Sequence, residues 1–452
     1  MRAEIQRIGI TAWLAQQLAP GSMADPEGEA VAAQYPTLNL SMAALQAEFD
    51  AGNPNKLSPT QDLQAAHIGR AVWSRRQLFE VMVDFWSNHL NVPVQSDDAA
   101  ATRADYDRTV IRAFALGRFE DLLVASANHP AMLSYLDLAN SSGANPNENF
   151  ARELLELHTV GVDGGYSEND IKQAARLLSG LRMDYKTKTV AFDPARHFVG
   201  PVTIMGFSHP NNVASQGPVA AREFYEYLAF HPSTARFLAT KLARRFVGDD
   251  PPTSLVSRLA GVYLANDTEM VPVLQALFAS AEFAASGGLK VRRPMEHLVA
   301  VCRAIGMQPS TDPQTLRNTI GKLSASGHMP FAWPAPDGYS DVAADWQGAG
   351  QALSQYTVAR DLVRGASPSG FGYQPISSLL TDPAKATTAA AIADQLCARL
   401  FGRAPTTNER AAVATILSAP ALPATYTPGG TQDTATRAAA LMLMHSYSFL
   451  TR

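Results

Sequence analysis

The stretch Asn145–Gly180, NPNENFARELLELHTVGVDGGYSENDIKQAARLLSG, decides how the chain is read. It divides into two helices joined by a tight, acidic, glycine-bearing loop. Asn145 is placed to cap the first helix, Pro146 suits its first helical position, and Glu148 completes a capping box. Gly161 suits the position just past its end. Ser167 and Asp170 repeat the start signal for a second helix that ends near Gly180. Wound at roughly 100° per residue, the first helix gathers Phe150, Leu154, Leu157 and Val160 into one apolar stripe, widened by Ala151 and Leu155. Glu153 flanks that arc on one side and His158 on the other, whereas Arg152 and Glu156 point elsewhere. A carboxylate and an imidazole inside an apolar arc are unfavourable unless they are paired, hydrogen-bonded or metal-bound. The stretch is therefore the candidate site. The ordinary alternative pairs Glu153 with an arginine and lets His158 meet the negative end of the helix dipole.

Outward from this stretch, composition sets the frame. The 452 residues give a two-domain expectation, divided as 1–215, which carries the candidate site and a β-like excursion, and 216–452, a helical region with two related units. Apolar residues at 46% and charged residues at 17% fit an ordinary globular chain, and a formal net charge of −4 gives no reason to expect nucleic acid. With only Cys302 and Cys397, neither a disulfide framework nor a thiolate zinc site can be built, and nothing in their spacing supports a single bridge. No apolar run is long enough to span a bilayer. The opening MRAEIQRIGITAWLAQQLAP already reads as a helix in progress, which predicts a longer precursor.

The fold expected is mainly α: a multi-helix bundle with a short β-hairpin or irregular insertion and a repeat-like helical C-terminal half. Helical spacing recurs over Ala3–Leu18, Ser41–Phe49, Thr60–Leu90 with a break near Arg75, and Tyr106–Leu138 with a break at Asn128-His129-Pro130. In QLFEVMVDFWSNHLNV, Glu80, Asp84 and Asn88 recur at i, i+4, i+8 and read as a solvated face. His89 lies on the side of Leu78, Met82, Phe85 and Trp86, as a core histidine or a ligand. Arg182–His209 alternates like strands and holds His197 and His209 beside Asp193. Further on, ATKLARRFVGDDPPTSLVSRLA is echoed by ADQLCARLFGRAPTTNERAAVATIL, and the echoes close on Ser280 with Phe283 and on Ser446 with Phe449. Between them, FAWPAPDGYSDVAADW cannot be a regular helix. Its Trp333, Tyr339 and Trp346 offer faces that would stack on a substrate ring or cap a core. Asp337, Asp341 and Asp345 form an acidic stripe that could attract a cation.

Several of these strings carry a resemblance. MVDFWSNHLNV, IRAFALGRFEDLLVASANHPAMLSYLD, NENFARELLELHTVGVDGGYSENDIKQAARLLSG, HPSTARFLATKLARRFV, KVRRPMEHLVAVCRAIG and FAWPAPDGYSDVAADW resemble the bacterial family called domain of unknown function 1800. The resemblance implies a helical protein, periplasmic or extracellular, and a co-encoded secreted sulfatase-like protein as partner. It brings no activity with it. This chain departs from the family pattern at Phe114, where relatives usually carry histidine. It departs again at His197–Val202, where relatives tend to H-D-x-G-x-K.

Two functions fit these patterns. The first is a metal-assisted enzyme, hydrolytic or oxidative, on an extracellular substrate. A divalent ion would be held by His89, Glu153 and His158, with Glu153, Glu156 and His158 as the catalytic set. H-E-x-x-H, G-x-S-x-G, Walker and dinucleotide motifs are absent from the sequence. A glycosidase pairing Glu153 with Glu156 or Asp84 is a variant of the same idea. The second is a non-catalytic binding or assembly protein for a secreted partner or glycan, favoured by the echoed helices and the aromatic loop.

Overall fold

The computed structural model describes residues 2–51, 58–365, 369–418 and 430–452. The chain is mainly α, as its periodicity predicts, with two small antiparallel hairpins in the region of strand-like alternation. Leu181–Met183 pairs with Val190–Phe192, and Val202–Ile204 pairs with Phe207–His209. The break near Arg75 separates the helices Pro59–Trp73 and Gln77–His89.

Two apolar cores hold the helices together. One joins Leu18 to residues between 78 and 277, and the other joins Val31–Val72 and Ala104 to residues between 295 and 449. The division expected at residue 215 thus runs inside the first core. The early helix Pro59–Trp73 lies against Pro294–Ala304 and Pro313–Ser324 from the far end of the chain. Such pairing is invisible to local periodicity, because amphipathic helices do not say which apolar face they meet. In the echoed strings, Pro232–Phe246 packs on Thr253–Ala265 and Ala389–Leu400 packs on Thr407–Leu417, one pair in each core. Cys302 and Cys397 are both buried and both free.

The Asn145–Gly180 stretch does form two helices, with one correction at its start. The cap is Asn147, whose Oδ1 accepts from Asn149 N at 2.7 Å, and the helix runs Glu148–Glu153. It then widens into a π turn over Leu154–His158. The inserted residue rotates the side chains beyond it, so Leu157 is only partly buried while His158 turns fully inward. The second helix, Glu168–Leu177, begins at the expected Ser167–Asp170 capping box.

The polar face expected to be solvated is instead buried. Glu80 is 5% exposed and holds Arg112 through both oxygens, at 2.6 and 2.9 Å. Asp84, 8% exposed, meets Arg245 at 3.0 Å and also Arg293. Their partners lie 32, 161 and 209 residues away, so a stripe of charges that looked wet was facing guanidinium groups.

Candidate functional site

Where the two cores meet, a cavity of about 730 Å³ opens between the end of the helix Gln77–His89, the helix Pro232–Phe246 and the loop 330–346. The helix Gln77–His89 contributes Phe85, Asn88 and His89; the helix Pro232–Phe246 contributes Lys241 and Arg244. The loop closes the cavity with Trp333, Tyr339 and Trp346, the residues singled out as a stacking surface.

The loop is irregular but tied down at many points. Asn91 Nδ2 donates to the carbonyls of Trp333 and Ala335 at 2.9 and 2.7 Å, and Tyr135 Oη donates to that of Pro334 at 2.8 Å. Gly338 has φ +72°, and a Cβ there would lie 2.1 Å from the Asn88 carbonyl oxygen, so only glycine lets the loop settle on the helix end. Tyr339 N then donates to Asn88 Oδ1 at 3.1 Å, and Tyr339 and Trp346 enclose His328, with ring centroids 4.5 and 4.8 Å from it. Trp333 remains 36% exposed, its Nε1 donating to Asp337 Oδ1 at 2.6 Å. The aromatic residues therefore cap a core and line a cavity at once.

Beneath the loop lies a buried ionic cluster. Arg245 reaches Asp84 at 3.0 Å, Glu296 at 2.6 Å and Asp341 at 3.0 Å. Arg293 joins Asp84, and Arg452 meets Glu296 at 3.3 Å. Burial alone would push the Asp84 carboxyl up, but Arg293, His67 and Arg245 outweigh it and hold it well below the usual carboxylate range. Asp341, the middle member of the acidic stripe, is consumed by this cluster. Asp337 is bonded to Trp333, and Asp345 is exposed, so the three do not form a cation site.

The sequence-predicted residues fall into different places. His89 lines the cavity, its Nε2 donating to the His158 carbonyl at 3.0 Å and its Nδ1 facing Lys241 Nζ at 3.1 Å. Both ring nitrogens are occupied, which leaves neither open to a metal. The His158 ring lies behind, centroid 6.5 Å from that of His89, and its Nε2 is buried without a hydrogen-bond partner. Burial, aided by Lys241, pushes the His158 imidazole down to about 3, so it stays neutral. Glu156 is turned aside, accepting from Tyr166 Oη at 2.6 Å and pairing with Arg152 at 3.4 Å. Glu153 is half-buried; burial and then Glu156 push its carboxyl up, against Arg152, with Asp337 adding to the rise. Among the described residues, no three His, Cys, Asp or Glu side chains are grouped to hold a metal ion. The set His89, Glu153 and His158 is thus not gathered as ligands, because the π turn sends the His158 ring inward while Glu153 stays near the surface.

The sequence also singled out His197, which is closed off between the Ser179 carbonyl and Asn211 Oδ1, each at 2.9 Å. It ties the first hairpin to the second and lines no part of the cavity.

Lys241 was missed. It sits in an echoed basic-apolar helix in which no residue was singled out. Its side chain is partly buried at the cavity wall, with Nζ 5.4 Å from the centre of the Phe237 ring. Among the described residues it makes no ion pair within 4.0 Å. Burial pushes its ammonium down to about 8, while Asp341 and Asp337 pull the other way. The one clue in the sequence was spacing: Lys241 lies three residues after Leu238 and four before Arg245, both of which are buried.

Among the described residues, no helix is long and apolar enough to cross a membrane. No curated protein and no solved structure matches the chain. A family model described as "Protein of unknown function (DUF1800)" matches residues 2–450, and the chain belongs to that family.

Proposed function

We propose that the chain is a hydrolytic enzyme whose reaction takes place in the cavity between the two cores, with Lys241 as the group that moves the proton. One observation carries this reading: Lys241 Nζ stands at the cavity wall, 3.1 Å from His89 Nδ1, without a carboxylate to neutralise it. Buried amines are normally paired; one left with a neutral imidazole is arranged for proton exchange. As an ammonium, Nζ can protonate a departing oxygen; as a free amine it can take a proton from water. His89 keeps its Nδ1 lone pair toward Nζ because its Nε2 is spent on the His158 carbonyl. Trp333, Tyr339 and Trp346 form the substrate wall. Glu153, within electrostatic reach of Asp337, is the second acid of the reading.

An extracellular or periplasmic substrate and a co-encoded secreted sulfatase-like partner, both implied by the family, belong to the same proposal. Its metal-assisted form makes a separate claim. That form requires protein purified without chelator to retain a stoichiometric divalent ion that the Glu153→Ala, His158→Ala double variant loses, and the separated side chains of His89, Glu153 and His158 do not favour it.

The test is a panel of chromogenic esters, sulfates, phosphates and glycosides, run with the wild type and Lys241→Met. Turnover rising with an apparent pKa near 8, and falling by about 10²-fold or more in the variant, is the expected result. Equal turnover in both sinks the reading. The exposed face of Trp333 favours one competitor, glycan binding without chemistry. Oligosaccharides that bind, lose affinity in Trp333→Ala and are never turned over would establish it.

A further inference from the structure

We infer that Lys241 reacts covalently with carbonyl compounds: its Nζ, placed at the cavity wall beside His89 Nδ1, adds to an aldehyde or ketone and forms an imine. This rests on the reading of the cavity as a reaction site and adds a second reactivity, toward carbonyl compounds, to the same lysine.

Comparison with the other lysines makes the point. Lys188 pairs with Asp98, Lys290 with Asp249, Lys322 with Asp361 and Lys385 with Asp382. Each of these four has a carboxylate within 4.0 Å. Lys241 has a different set of neighbours: His89 and His158 on one side, Arg244 on its own helix, the Phe237 ring, and Asp337 and Asp341 across the cavity. Asp341 is already bound to Arg245, and Asp337 already accepts from Trp333. No carboxylate among the described residues is paired with Nζ, and burial, working against Asp341 and Asp337, lowers its ammonium to about 8, so a sizeable fraction is free amine at pH 7.5.

The step balances within these groups. The Nζ lone pair forms the N–C bond, and the carbonyl π pair moves to oxygen. One nitrogen proton passes through His89 Nδ1 to that oxygen and gives the carbinolamine, and the second follows by the same route to make the hydroxyl a departing water. The C–O bond then breaks, and one water leaves as the C=N bond forms. Removing the ammonium charge also removes one of the causes that depress His89, so the imidazole becomes a better proton carrier as the reaction advances. Asp337 and Asp345 add carboxylate acceptors to the cavity lining, which suits a hydroxylated carbonyl compound that fits about 730 Å³.

The test uses the full chain with glyceraldehyde or pyruvate and cyanoborohydride at pH 7.5, followed by peptide mass mapping. An amine near 8 is free about two hundred times more often at that pH than an ordinary lysine, and its lower basicity offsets part of this, leaving an expected rate advantage of about tenfold. The reduced adduct should appear at Lys241 about tenfold faster than at the exposed Lys172 and Lys186 and be absent in Lys241→Met. Labelling of Lys241 no faster than those two overturns the inference. Carbamylation of Lys241 by cyanate as a function of pH separates the failures. A midpoint near 8 without trapping removes the carbonyl inference and leaves the proton-transfer reading, whereas a midpoint near 10 removes both.

Discussion

Two groups of charges lie within one helix turn of each other on the helix Pro232–Phe246 and are treated in opposite ways. Arg245 is spent on three carboxylates, Asp84, Glu296 and Asp341. Lys241, four residues earlier, has no carboxylate within 4.0 Å among the described residues and faces His89 Nδ1 at 3.1 Å. Arg245 is fully buried and Lys241 partly buried at the cavity wall, and the two differ chiefly in pairing. The ionic cluster is a fastening between the two cores, and the lysine is a reactive group that the fastening holds in position.

Breaking the fastening should have the largest effect. Arg293→Met leaves Asp84 buried with one guanidinium fewer, and removal of one partner from such a site costs about 3–5 kcal/mol. Denaturant unfolding should show that loss, and a change under 1 kcal/mol would mean that the cluster is solvated after all. Acid should act on the histidines next. Burial first of all depresses His158, His328 and His297 to about 3, 3 and 4, so the unfolded chain binds protons that the folded chain refuses. Their contribution is complete above about 6.5 and shrinks as pH falls toward those values, by roughly 2 kcal/mol each at pH 5. Urea midpoints that stay level between pH 7 and pH 5 would contradict the burial.

The lysine should behave in the same sense, in a higher pH window. Its folded value of about 8 lies below its unfolded one, so below pH 8 the folded state carries a disfavoured charge, and stability recovers as pH rises through that window. Lys241→Met should therefore stabilise the protein at pH 7, by about 1–2 kcal/mol once partial solvent access is allowed for. A destabilised variant would place Lys241 with the fastening instead. The smallest effect belongs to Trp333→Ala, where a partly exposed ring held by one hydrogen bond to Asp337 should contribute about 1 kcal/mol or less to stability. Any larger consequence should appear in ligand affinity.

Local signals were legible where the physics is local. The Ser167–Asp170 capping box and the break near Arg75 stand where the sequence places them. Asn147 took the capping role from Asn145, because two asparagines with the same chemistry lie two residues apart and only the backbone path chooses between them. The π turn at Leu154–His158 could not be read from a pattern that assumes 3.6 residues per turn, and it alone reverses the roles of Leu157 and His158. Asp84 looked solvated because its arginines come from distant segments. Lys241 was not singled out, because lysine usually lies at the surface. The aromatic loop was legible as irregular, since its prolines and glycine forbid a regular helix, and its aromatic rings both cap a core and line the cavity.

Asp341 is gripped twice. Its carboxylate binds Arg245 and its carbonyl accepts from Lys290, so one residue of the loop is clamped through both side chain and main chain. Trp333 and Asp345, on either side of that clamp, lie at the surface. A wall anchored at its middle and open at its edges can exchange those edge residues, and with them its choice of guest, while the scaffold beneath keeps its shape.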